Sequence, residues 1–130
     1  MGFERKAIHG VSWFVCDGTA SHGSMHNAAA RLLDEYALSA SGYLWGRGDG
    51  CWEALYLAER YNVRLLILEA CRTRRTGRQL RALAIRNLFA VVCPVVICAP
   101  EDACPPAPPN APVYRIEHAE RLAEAIQQLI

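Results

Sequence analysis

The sequence predicts an α/β fold, a small three-layer sandwich with a mainly parallel sheet of about five strands. Three observations predict it. Short apolar runs recur along the chain, and segments with apolar residues at helical spacing separate them. Residues 94–99 (PVVICA) are apolar throughout, as in a strand covered on both faces. At 130 residues, 52% apolar and 21% charged, the chain fits one folded domain over 1–130.

Residues 11–16 (VSWFVC) read as the first strand, followed by a loop over 17–24. Ser24 caps a helix over 25–38 that places Ala29, Leu32, Leu33 and Tyr36 at helical spacing, and Gly42 stops it. Residues 43–45 begin a second strand and break into Gly46-Arg47-Gly48-Asp49-Gly50. A helix over 51–61 aligns Leu55, Ala58 and Tyr61, with Asn62 as a left-handed C-cap. Residues 64–70 (RLLILEA) form the third strand, and an arginine-rich link leads to a helix over about 79–91. Residues 94–99 are the fourth strand. The segment 103–112 holds five prolines and reads as a stiff extended loop. Residues 113–116 form a last strand, and 118–130 an amphipathic helix through Leu122, Ala125, Ile126 and Leu129. This alternation is the pattern of a Rossmann-like sheet, whose ligands bind at the carboxyl ends of the strands, where strand order reverses.

Composition narrows the function. Fourteen basic and thirteen acidic residues leave a net charge of +1, which excludes broad nucleic-acid or membrane-surface binding. The total hides an asymmetry. Between Glu69 and Glu101 no acidic residue occurs, while Arg72, Arg74, Arg75, Arg78, Arg81 and Arg86 do. The longest apolar run, 88–99, is too short to span a bilayer and contains Pro94. Residues 1–9 carry charges and no apolar stretch, so no secretory signal is read there. The six cysteines lie mostly in apolar runs, which implies a cytoplasmic protein with reduced thiols acting as small core hydrophobes.

The strand ends are where chemistry is expected. Gly46, Gly48 and Gly50 alternate between a strand and a helix, where backbone can approach a ligand and helix N–H groups favour an anion. The spacing is neither G-x-G-x-x-G nor a Walker loop, and an empty glycine-rich turn is the competing reading. Arginine suits bidentate recognition of phosphate or carboxylate. Arg86, flanked by Ala84, Ile85, Leu88 and Phe89, must reach solvent or meet an anion. The cluster from Arg72 to Arg81 reads more simply as a solvated surface, and it lacks the interleaved aromatics of a single-strand nucleic-acid binder. Cys51, in the first turn of a helix, is a candidate nucleophile if His22 or His26 serves as base; an inert helix-start residue is the plainer reading. His22 and His26 are spaced for a metal, yet Ser24 caps between them and no Cys-x-x-Cys supports them, so neither metal nor cofactor is expected.

The run from Trp45 to Leu55 (WGRGDGCWEAL), continued by residues 57–65 (LAERYNVRL), resembles the SLOG superfamily, especially its YspA-like branch. Ala84-Ile85-Arg86-Asn87 is similar to that branch's Pro-Ile-Arg-Asn helix motif, and Val15-Cys16-Asp17-Gly18-Thr19 takes the place of its first-strand turn. The resemblance covers roughly residues 9–100. It implies a Rossmann-like fold and a pocket for a nucleotide or nucleotide-derived ligand, lined by Gly18, Thr19, Gly48, Gly50, Arg86 and Asn87. The aspartate of the family's G-A-D turn falls on Trp52, with Glu53 beside it as a substitute. The family's Pro-Gly-Gly-x-Gly-Thr segment, which supplies phosphate contacts and adjoins the catalytic carboxylate in LOG enzymes, is replaced by Ala99-Pro-Glu-Asp-Ala-Cys104. The expectation is therefore a small-anion-binding module without intact family catalysis. The alternatives are a structural protein that forms a homodimer through Trp45, Trp52 or the C-terminal helix, and a hydrolase acting on a nucleotide or through Cys51, with Glu53 as a second weak catalytic candidate.

Overall fold

The computed structural model describes residues 3–8, 10–18, 42–72, 78–98 and 106–130. Its strands are β1 (Phe3–Ile8), β2 (Val11–Cys16), β3 (Tyr43–Arg47), β4 (Leu65–Glu69), β5 (Val95–Cys98) and β6 (Val113–Arg115). Its α-helices are α1 (Gly50–Ala58), α2 (Arg78–Ile85) and α3 (Leu122–Leu129). The fold is α/β, with a six-stranded, mainly parallel sheet flanked by helices and compatible with a Rossmann-like architecture.

Side-chain alternation divides the core into two layers. In β4, Leu66 and Leu68 face the same side as Leu44 of β3 and Val95 and Ile97 of β5, beneath α1 and α2. Leu65 and Ile67 face the other side with Trp13, Trp45 and Val96, where Leu122 and Ile126 of α3 close the layer. Both faces are buried, which is why β4 and β5 are apolar along their whole length. Helix α1 is buried at every position, from Gly50 to Ala58, because it is enclosed beyond the sheet by α2 and its surroundings. Burying one such leucine contributes about 1.5–3 kcal/mol.

Strand order is β1-β2-β3-β4-β5-β6, and only β1–β2 is antiparallel. Each parallel strand therefore lies beside its predecessor, and the expected reversal of strand order does not occur among these strands. Strand β1 departs from the sequence expectation. Its Phe-Glu-Arg-Lys-Ala-Ile run carries charges suited to a solvated edge, and Ile8 pairs with Val11 across a two-residue hairpin with Gly10 at φ +76°.

Three helix ends also differ. Asn62 is not a left-handed cap, because Ala70, at φ +51°, is the one non-glycine residue of positive φ among the described residues. Helix α2 stops at Ile85 rather than continuing to 91, and a short 3₁₀ turn (Leu88–Ala90) follows. The break has a specific cause. The Asn87 N–H donates to Glu59 Oε1 at 2.8 Å instead of to a helix carbonyl, and Asn87 takes a non-helical φ of −124°. The C-terminal helix likewise begins with a 3₁₀ turn (Ala119–Arg121) before α3. The expected helix over 25–38 lies outside the described residues.

Candidate functional site

Strands β2, β3 and β4 run parallel and in register, so their carboxyl ends bring Asp17, Arg47 with Gly48, and Glu69 with Ala70 to one edge. These residues and Arg72 line a pocket of about 450 Å³. Glu69 organises its wall. Trp45 Nε1 donates to Glu69 Oε1 at 3.0 Å, and Arg47 Nε donates to the same oxygen at 3.2 Å. The Arg47 guanidinium also lies 5.0 Å from the centre of the Trp45 ring. Trp45 is thus buried and engaged, and Trp52, also buried, donates its indole N–H to the Arg72 carbonyl at 3.1 Å. Neither tryptophan offers the exposed dimer surface expected from the sequence.

Arg72 differs from Arg47. Its backbone is fixed by its N–H on the Gly48 carbonyl, at 3.1 Å. Its side chain is exposed and lies over Gly48, and no ion pair of Arg72 forms among the described residues. Gly48 has φ +58°, and a Cβ there would sit 2.8 Å from Arg72 Nη2. Glycine therefore permits both the turn and the position of the guanidinium.

The other two loop glycines serve internal packing. Gly46 is covered by Cys51 and Ala54 of α1, and a Cβ on Gly50 would overlap the Cys16 carbonyl. Asp49 occupies the α1 N-cap without a side-chain hydrogen bond to the helix, while the Cys51 and Trp52 N–H groups are already turned onto the Gly48 and Asp49 carbonyls. The Cys51 thiol is fully buried and points at the Gly46 and Glu69 carbonyls, each 3.5 Å away, which matches an inert packed thiol rather than an accessible nucleophile.

Glu53 lies beneath this edge, almost fully buried, and its Oε1 accepts the Gly18 N–H at 2.9 Å. Burial pushes its carboxyl up to about 8; the Gly18 bond opposes the shift, and the charges of Asp17 and Asp49 add to it. Burial, with Glu53 and Asp17 nearby, also holds the Cys16 thiol well above its ordinary range. Glu53 therefore acts as a largely protonated strut under the Asp17–Gly18 turn near neutral pH. Thr19 lies outside the described residues, as do His22, His26 and the arginines at 74 and 75.

Arg86 and Asn87 are placed elsewhere. Asn87 is tied to Glu59, which follows the last residue of α1, whereas the glycine loop precedes the first. Nine helical residues, about 13 Å, separate the two ends. Arg86 is exposed at that far edge. The two regions that the resemblance joins in one pocket are thus at opposite edges of the sheet. Arg47, Glu69 and Ala70, pocket residues that sequence reasoning missed, carry a plain signal: each ends or directly follows a strand.

Among the described residues no group of three or more His, Cys, Asp or Glu side chains could hold a metal, and no helix is long and apolar enough to cross a membrane. No family model, curated protein or solved structure matches the chain.

Proposed function

We propose that this chain is a binding module for a small anionic, nucleotide-derived ligand held at the carboxyl edge of β2, β3 and β4. One observation carries the reading: Arg72 projects over Gly48 into a strand-end pocket with its guanidinium free of carboxylates among the described residues. A guanidinium so placed offers two parallel donors to a phosphate or carboxylate. The acidic wall limits the anion. Asp17 and Glu69 offset Arg47 and Arg72, which disfavours a polyphosphate and suits a ligand that pairs one anionic group with hydroxyl donors. A nucleoside monophosphate has that chemistry, and the likeness of residues 45–65 to the SLOG superfamily supports the same class. The five described cysteines form no disulfide with one another, in keeping with a reducing, cytoplasmic setting.

Thermal unfolding with nucleoside monophosphates tests the proposal. The midpoint should rise at millimolar ligand in wild type and not in Arg72→Met; no rise with any nucleotide defeats it. A second reading, a structural or oligomerising protein with a degenerate pocket, is favoured by the enclosure of Gly46 and Gly50 within the chain's own packing. Light scattering decides that reading, since a clean monomer counts against it.

A further inference from the structure

We infer that the exposed flank of α2 beside Trp52 carries a second binding site, for a small organic anion with a flat apolar body. A pocket of about 430 Å³ lies there, lined by Trp52, Arg78, Arg81, Ala82, Ile85 and Pro106. Its walls are mostly apolar side chains. The Trp52 indole N–H is already committed to the Arg72 carbonyl, so carbon atoms of the ring are what it presents. Two cations meet this apolar slot. Arg78 and Arg81 are one helical turn apart on α2, and neither forms an ion pair among the described residues. Among the described residues the enclosed Arg81 Nε has no hydrogen-bond acceptor. Both guanidinium groups border the cavity, and a carboxylate or phosphate oxygen there would pair with them through charge-assisted hydrogen bonds. An apolar groove bordered by two guanidinium groups that form no ion pair among the described residues thus favours an amphipathic anion over both inorganic phosphate and a neutral aromatic compound. The site shares no lining side chain with the strand-end pocket at Arg72 and stands apart from the proposal made there.

Naphthalene-2-carboxylate and its neutral analogue naphthalene-2-methanol, titrated calorimetrically into the full chain, test this site. The carboxylate should bind one to one, roughly tenfold or more tightly than the alcohol. Arg81→Met should reduce it to the level of the alcohol. Ala82→Phe, at an exposed helix position that tolerates substitution, should fill the slot and abolish binding while the near-ultraviolet dichroism stays native. Arg72→Met should leave the titration unchanged. The inference is overturned if the two compounds bind alike or not at all, if neither Arg81→Met nor Ala82→Phe weakens the carboxylate, or if Arg72→Met alone removes it.

Discussion

The two ends of α1 present the same device in different surroundings. At each end a buried glutamate accepts a backbone N–H from a loop distant in sequence: Glu53 from Gly18, and Glu59 from Asn87. At the carboxyl edge of the sheet, burial pushes Glu53 up to about 8; the Gly18 N–H opposes the shift, and the charges of Asp17 and Asp49 add to it. At the amino edge, burial raises Glu59 only to about 7, because the Asn87 N–H and the charge of Arg60 oppose it. The first end adjoins a pocket with an uncommitted arginine; the second has an exposed arginine, Arg86, and a carboxylate already bound to the chain. A glutamate holding a loop is therefore a structural strut, and pocket and cation together mark the edge where binding is proposed.

The largest expected effect lies in the packing that creates this edge. Gly50→Ala places a methyl group against the Cys16 carbonyl, backbone that cannot turn aside as a flexible side chain would, and should cost about 3–5 kcal/mol by urea unfolding. A loss below 1 kcal/mol would show that α1 and β2 can separate freely.

Next in size is the pH response of Glu53. Its folded pKa is raised, so the folded state holds a proton that the unfolded chain releases above the ordinary carboxyl range. Stability should be highest below about pH 4.5 for this group and fall as pH rises toward 8. Glu53→Gln retains an oxygen for the Gly18 N–H and carries no charge. It should gain about 2–4 kcal/mol over wild type at pH 8.5 and almost nothing at pH 4.5. An equal effect at both pH values would contradict the assignment.

Glu59→Gln should act with the same sign but more weakly, by about 1–2 kcal/mol at pH 8.5, because its shift is smaller and it loses the Arg60 charge 4.0 Å away. A larger gain than at Glu53 would reverse the ranking of the two ends.

Much of this architecture was legible in local sequence. The runs 65–69 and 95–98 are apolar because both sheet faces are covered, and the spacing of Leu122, Ile126 and Leu129 marks α3. Strand β1 was hidden because an edge strand needs no apolar alternation. The end of α2 was hidden because its cause, Glu59, lies 28 residues away in the chain. The site was half legible for a related reason. The strand-end rule points to Gly46–Gly50, but motif order alone cannot tell which end of an intervening helix a residue occupies. Arg86 follows α2 and so lies at the amino edge, while Arg72, which precedes α2, reaches the pocket.

The central claim is that a small anion binds at Arg72 and not at Arg86. Titration of adenosine monophosphate into wild type, Arg72→Met and Arg86→Met, followed by calorimetry at low salt, tests it most directly. Both arginines are exposed, so neither substitution should change stability by more than about 0.5 kcal/mol. Affinity should fall about tenfold in Arg72→Met, the loss of one charge-assisted contact, and remain at the wild-type value in Arg86→Met. Weaker binding in Arg86→Met with Arg72→Met unaffected would contradict the account.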